Sequence, residues 1–101
     1  HRRKIHFATK TFQALRIAVN NELENIKSGI TSAISIISHG GRIVVISFHS
    51  IEHRLLKNIF KEASLNNLIR LVEKKPVFPS QREKMENSRS RSAQMRIVEK
   101  I

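Results

Sequence analysis

The chain has 101 residues, which is enough for one small domain but not for two. It contains no cysteine, so disulfide bonds and cysteine-ligated metal sites are excluded. Its 19 Lys and Arg residues outnumber 8 acidic residues, and the net charge of +11 predicts attraction to a polyanion such as nucleic acid. A cationic surface that serves solubility or a protein partner is the alternative interpretation of this charge.

The first residues of the chain and the lack of cysteine predict the cellular compartment of the protein. Residues 1–4 are followed by no apolar stretch long enough for a signal peptide or a membrane helix. A chain without cysteine also fits a reducing compartment. We therefore expect a cytoplasmic protein with no membrane partner.

The first forty residues predict two amphipathic helices. Apolar side chains recur at three- and four-residue spacing, which predicts a first helix that begins near Thr9 or Thr11. A break is predicted at Ser28-Gly29, and a second helix is expected to end at His39-Gly40, where glycine can form a left-handed cap. The apolar positions are Phe12, Leu15, Val19, Leu23, Ile26, Ile30, Ala33, Ile34 and Ile37.

A continuous Ile/Val run at residues 42–46 predicts a strand that is buried on both faces, as in a parallel sheet. Ligands bind such sheets at the carboxyl ends of the strands, which here is the segment around His49 and Ser50. Ser50 is predicted to cap a third helix that ends at Asn66-Asn67. Glu52, near the start of that helix, favours it through the helix dipole.

The last third of the chain predicts two strands, at residues 68–74 and 93–101, that pair antiparallel. The connection between them, residues 76–91, is long for a hairpin and is therefore expected to be either functional or mobile. The predicted fold class is α/β, with the order helix-helix-strand-helix followed by an antiparallel strand pair.

Residues 49–53 match the H-x-x-E-H signature of zinc peptidases. Two such histidines must lie one helical turn apart on one face, but His49 directly follows the predicted strand and Ser50 is the predicted cap. The sequence also offers no evident third ligand segment. We therefore predict no metal site.

Three segments, in this order, resemble one enzyme family: residues 9–20 (TKTFQALRIAVN), 47–52 (SFHSIE) and 90–93 (SRSA). Lys75-Pro76 and Pro79-Ser80 also stand in family positions. The chain is similar to the small-subunit rRNA cytosine-N4 methyltransferases (RsmH, formerly MraW). The resemblance implies a Rossmann-like methyltransferase with a helical insertion. Such an enzyme is cytoplasmic and bacterial, uses S-adenosylmethionine and methylates N4 of a cytidine in the 16S rRNA of the assembled small subunit.

The resemblance covers only the carboxyl-terminal third or so of the family. Residues 1–101 are therefore expected to form a single partial domain, without the amino-terminal part that holds the glycine-containing cofactor loop. We assign no cofactor-binding residue here and expect S-adenosylmethionine to bind only the full-length protein. The residues themselves agree with this expectation. A nucleotide-binding loop joins a strand to the helix that follows it, whereas Gly40-Gly41 lies before its strand and better suits the end of a helix.

His49 and Ser50 are the predicted catalytic residues, because they follow the strand at the expected catalytic edge. They would contact the target cytidine or fix the loop that does, whereas a His49 that only hydrogen-bonds the helix start is the alternative. Basic and hydroxyl side chains are predicted to contact the rRNA backbone, and at the start of the first helix the free backbone amides would help to bind phosphate. These predicted RNA-binding residues are Lys10, Thr11, Arg16, Arg54, Arg89, Arg91 and Ser92, with Ser90 beside them.

Plainer roles remain open for the predicted RNA-binding residues. Arg16 is equally suited to a solvated helix surface, Arg54 to an ion pair with Glu, and residues 89–92 to an ordinary charged loop. At the level of the whole chain, the alternative to a methyltransferase part that is inactive by itself is a non-catalytic RNA- or ribosome-binding remnant. An exposed sheet edge is also expected to favour a dimer or other self-association.

Overall fold

The computed structural model describes the backbone of residues 2–101 and the side chains of residues 10, 11 and 13–101. Helices and strands alternate along the chain, which confirms the predicted mixture of helices and strands, and the three strands pair antiparallel. The elements in chain order are α1 (Arg2–Ile36), β1 (Arg42–Ser47), α2 (Ser50–Leu65), β2 (Ile69–Leu71), α3 (Gln81–Glu86), a 3-10 helix (Ser88–Ser92) and β3 (Gln94–Lys100).

The amino-terminal region forms one helix of 35 residues, so the predicted break at Ser28-Gly29 is wrong. Glycine costs a helix about 1 kcal/mol relative to alanine. Here the helix continues because Ile30 and Ile34, just beyond the glycine, lie on one face and are buried in the core. No helix among the described residues is long and apolar enough to cross a membrane.

The end of α1 is fastened to β3. The Lys100 ammonium donates to the carbonyl oxygens of Ser35 (3.1 Å), in the last turn of α1, and of Ile37 (3.0 Å), directly after the helix. Gly40, in the turn that follows, has a φ of 83° and so has the predicted left-handed conformation, but α1 ends at Ile36 rather than at the predicted His39-Gly40. A tight turn thus connects α1 to β1, and hydrogen bonds to Lys100 of β3 hold this turn in place.

The three strands form one sheet in the order β1-β3-β2. β3 is antiparallel to both neighbours, with Val44 opposite Ile97 on one side and Arg70 opposite Glu99 on the other. The predicted antiparallel pairing of the last two strands is confirmed, although β2 is only 3 residues long. The pairing of β1 with β3 was not predicted, and it makes β1 and β2 parallel to each other.

One face of this sheet is covered and the other is open. On the covered face, α1 and α2 pack on the sheet around a core of Ile30, Ile34, Leu56, Phe60, Ala63, Ile69 and Val98. On the open face, Val44 and Ile46 of β1 are 56% and 54% exposed. The prediction that β1 is buried on both faces is therefore wrong for the part of the chain that the structure describes.

The connection between β2 and β3 contains ordered local structure. Val77 forms an isolated antiparallel bridge with Met95. Ser80 caps α3, and its hydroxyl accepts a hydrogen bond from the Glu83 amide (3.1 Å). The side chain of Asn87 then caps the 3-10 helix by accepting from the Arg89 amide (3.2 Å). Between β2 and β3 the chain thus crosses the open face of the sheet, and it then forms β3, the central strand.

Candidate functional site

The site lies where β1 passes into α2, at the carboxyl end of β1. His49, rather than the predicted Ser50, is the N-cap residue of α2, and Ser50 is its first helical residue. His49 has the extended backbone of a cap, and its ring nitrogen Nδ1 accepts a hydrogen bond from the Glu52 amide (3.4 Å). The cap falls one residue earlier than predicted because an imidazole nitrogen here replaces the usual hydroxyl oxygen.

Glu52 completes this cap from the other side. Its carboxylate accepts from the Phe48 amide (3.1 Å) and lies 3.4 Å from Nε2 of His49. A neutral His49 ring that accepts at Nδ1 carries its proton on Nε2, the ring nitrogen nearer that carboxylate. The alternative in which His49 hydrogen-bonds the helix start thus describes the contacts observed, and the arrangement fixes the loop between strand and helix.

His53 connects three elements of the site. Its Nε2 lies 3.1 Å from the carbonyl oxygen of Ser92, and its Nδ1 lies 2.6 Å from the hydroxyl of Ser47. A carbonyl can only accept, so Nε2 carries the proton, and in the neutral ring Nδ1 accepts from the Ser47 hydroxyl. His53 therefore ties α2 to the end of β1 and to the 3-10 helix.

This contact also explains the H-x-x-E-H match. His49 caps the helix, whereas both ring nitrogens of His53 are engaged by Ser47 and Ser92. Across the described residues, no group of three or more His, Asp or Glu side chains is arranged to hold a metal ion. The spacing thus serves capping and bridging.

The 3-10 helix presents two predicted RNA-binding residues beside this junction. Arg89 and Arg91 are exposed, and neither has a carboxylate partner among the described residues. Ser90, between them, is buried and donates from its hydroxyl to the Asn87 carbonyl (2.7 Å). Ser92 is exposed and is held through its carbonyl by His53. Buried and exposed positions thus alternate, so both guanidinium groups face solvent.

Ser50 and Arg54 extend the site along α2. Both are exposed and lie together in a shallow surface depression with Ile51 and Asn58. In the described part of the chain, Arg54 has no ion pair with a glutamate. The alternative in which Arg54 pairs with Glu is therefore not what the structure has, and the side chain is accessible to an anion.

Lys10, Thr11 and Arg16 are not at a helix start. α1 begins at Arg2, so the amides of Lys10 and Thr11 lie inside the helix rather than free at its first turn. The expected phosphate site built on free amides is therefore wrong. All three side chains are exposed, but α1 first reaches the His49 loop at Val19, which is about 13 Å along the helix from Lys10.

The glycine pair before β1 does not fit a cofactor loop. The Gly40 amide donates to the Lys100 carbonyl and the Gly41 amide to the Ser38 carbonyl, both at 2.8 Å. A Cβ at Gly41 would lie 2.8 Å from the Ser38 oxygen, so glycine is required by the turn itself. The pair therefore has no free amide to offer a nucleotide.

Three features of the structure were not predicted from the sequence. His53 was considered only as a metal ligand, so its bridge to Ser47 and Ser92 was not expected. The cleft between Phe48 and Phe78 was not expected either, although an aromatic residue directly before His49 was a signal. The third feature is Arg96 on β3, whose Nε is buried without a hydrogen-bond partner in the described structure. Burial lowers the pKa of the Arg96 guanidinium.

The sequence comparisons give a consistent family. The profile of the MraW methylase family matches residues 1–101. The chain is 51% identical over 100 residues to ribosomal RNA small subunit methyltransferase H of Persephonella marina, covering 99% of this chain and 34% of that protein.

Two further proteins with the same name match at nearly the same identity. The one from Acaryochloris marina is 51% identical over 100 residues, which are 99% of this chain and 33% of that protein. The one from Thermotoga neapolitana is 50% identical over 101 residues, with the same shares of 99% and 33%. The chain thus spans about a third of the length of the curated relatives that it matches.

Proposed function

The chain belongs to the MraW methylase family, and from this premise we propose that it is the carboxyl-terminal part of an rRNA methyltransferase. The proposed reaction transfers a methyl group from S-adenosylmethionine to N4 of a cytidine in the 16S rRNA of the small ribosomal subunit. The observation that carries the proposal is the family match over residues 1–101. The names of the relatives, rRNA small subunit methyltransferases, support the choice of RNA.

The sheet supports a Rossmann-like arrangement in the whole enzyme. β1 and β2 are parallel, with β3 antiparallel between them, and the outer edge of β1 has no strand partner among the described residues. Further parallel strands can add at that edge. The polar residues at the carboxyl end of β1 would then lie at the edge where parallel sheets bind ligands.

We propose a division of roles within this enzyme. This chain's residues hold and orient the RNA, while S-adenosylmethionine, which supplies the methyl group, binds other parts of the full-length protein. Methyl transfer to an exocyclic amine depends mainly on aligning the amine with the methyl donor, so positioning supplies most of the acceleration. His49 and Glu52 fix the loop, and Ser50 and Arg54 are exposed at its end for contact with RNA.

The experiment that tests the proposal compares methyl transfer by the isolated residues 1–101 and by the full-length protein. Purified small ribosomal subunits and S-adenosylmethionine with a labelled methyl group are the substrates. We expect transfer only with the full-length protein, and a lower rate with His49→Ala. Transfer by residues 1–101 without other protein would contradict the division of roles, and no transfer by either would contradict the function.

A non-catalytic RNA-binding role is the second candidate, and the charge of +11 favours it. It predicts RNA binding that weakens steeply with salt, because each neutralised phosphate releases counterions. The absence of RNA binding at low salt would exclude it. Restoration of methyl transfer by a separately added amino-terminal fragment would instead favour the methyltransferase.

The open edge of β1 supports the proposal that the isolated chain self-associates. An unpaired strand edge beside exposed apolar side chains is a site where a second copy can pair. A single monomeric species in sedimentation across a wide range of concentrations would contradict this expectation.

A further inference from the structure

A cleft of about 260 Å³ lies on the open face of the sheet, at the carboxyl end of β1. Phe48, which directly follows β1, and Phe78, in the connection before α3, contribute their rings to its lining. Met95 of β3 contributes a third apolar side chain. Glu83 of α3 and Asn87, which precedes the 3-10 helix, supply polar groups. The cleft is therefore mainly apolar, with polar groups from one segment.

The two aromatic rings are accessible in the described part of the chain. Phe48 is 49% exposed and Phe78 is 60% exposed, and neither belongs to the core that the described residues form. Aromatic rings in an open, basic groove are what proteins use to stack the bases of single-stranded nucleic acid. The cleft's small volume fits one base better than a larger ligand.

The surroundings of the cleft favour RNA over an apolar protein segment. Ser90 lines the cleft, and its neighbours Arg89 and Arg91 are exposed without carboxylate partners in the described chain. Two guanidinium groups beside an aromatic cleft can bind the phosphates that flank a base held in it. A protein segment would use the apolar lining but would leave these charges unmatched.

The polar groups of the cleft match a base that carries an exocyclic amine. The Glu83 carboxylate has no hydrogen-bond partner among the described side chains, so it can accept from an amine. Asn87 uses its side-chain oxygen to accept from the Arg89 amide, which leaves its NH₂ group to donate. A carboxylate that accepts from N4 is a standard contact to cytosine.

We propose that this cleft binds one unpaired cytosine base of the RNA, stacked on Phe48 and Phe78 with its amine on Glu83. The base must be unpaired, because a base within a helix has no free face for an aromatic ring. The proposal rests on the function proposed above and adds to it the part of the chain that receives the base.

The test uses the full-length protein and a short fluorescent oligocytidine, with and without a single abasic nucleotide. Phe78→Ala is expected to weaken binding of the intact oligomer roughly ten- to a hundredfold through lost stacking. Phe78→Tyr keeps an aromatic face and should bind like the unchanged protein. Leu65→Ala is the matched control, because Leu65 is 74% exposed and lies at the other end of α2.

The decisive readout is the coupling between the two changes. If Phe78 contacts the base, the abasic position lowers the affinity of the unchanged protein for the oligomer, but it lowers the affinity of the Phe78→Ala variant only slightly more. Glu83→Gln should also reduce the preference for oligocytidine over oligouridine. The base site would be wrong if the fold-losses in affinity from Phe78→Ala and from the abasic position simply multiply. It would also be wrong if Leu65→Ala weakens binding as much as Phe78→Ala does.

This result is independent of the methylation assay. If Phe78→Ala and the abasic position are coupled in binding but no methyl transfer occurs, the base site is supported and the proposed function is contradicted. Methyl transfer without coupling would support the function and contradict the base site. Circular dichroism of each variant establishes that a loss of binding is not a loss of folding.

Discussion

The two faces of the sheet carry similar apolar residues but meet different surroundings. On the covered face, Ile69 and Val98 are each 1% exposed beneath α1 and α2. On the open face, Val44 and Ile46 are more than half exposed, although they alternate along β1 with the partly buried Ile43 and Val45. One face therefore holds this chain together, whereas the other carries the cleft and is accessible in the described chain.

The largest expected effect lies on the covered face. Phe60 is 1% exposed at the centre of the core, so Phe60→Ala should lower the free energy of unfolding by about 3–5 kcal/mol through the cavity it leaves. Phe78→Ala, on the open side, should lower it by less than about 1 kcal/mol because little buried area is lost. Urea denaturation of both variants measures the contrast. Equal losses would mean that the open face also holds the fold.

An intermediate effect is expected where the two faces meet. His53→Ala removes the partner of the Ser47 hydroxyl, which is buried, and should cost about 1–3 kcal/mol. It also releases the Ser92 carbonyl, so trypsin should cut after Arg89 and Arg91 sooner, as mass spectrometry of the products would reveal. His39→Ala is the control, since it removes one exposed hydrogen bond to Ile101. Unchanged cleavage would contradict the bridging role of His53.

The smallest expected effect concerns the ion pairs on the open face. A hydrogen bond from Arg70, with Arg42 also close by, lowers the pKa of the Glu99 carboxyl below its ordinary value of 4.5. A group whose pKa is lower in the folded state stabilises the fold above its unfolded pKa, and this contribution is lost as pH falls. Glu99→Gln should therefore flatten the dependence of unfolding on pH below about 4.5. An unchanged slope there would contradict the assignment.

The spacing of residues in the sequence predicted much of the structure on the covered face of the sheet. The apolar spacing on α2, its end at Asn66-Asn67 and the antiparallel partner of β3 all follow from periodicity and turn residues, which act over a few positions. The break at Ser28-Gly29 failed because Ile30 and Ile34 pack in the core, and packing outweighs one glycine. Burial of β1 on both faces failed because periodicity indicates which side chains are apolar and does not indicate what covers them.

The candidate site was predicted in part. The sequence marked His49, Ser50, Arg54 and residues 89–92, and the structure brings the strand end and the 3-10 helix together through His53. Ser50 was predicted as the cap because histidine is not among the usual capping residues, and a hydrogen bond from His49 to the helix start was only the alternative interpretation. The catalytic role of His49 and Ser50 and the RNA contacts of the predicted basic residues stay predictions.

From the sequence alone came α2, the three strands, the basic character and, through its motifs, the family. These depend on composition, short-range spacing and residue identity, which are all present in the linear chain. The folded structure was needed to establish that β3 inserts between β1 and β2, that one face of the sheet is open in the described chain, and that Phe48 and Phe78 line one cleft. Such contacts join residues about thirty or more positions apart, and their energy depends on neighbours that only folding supplies.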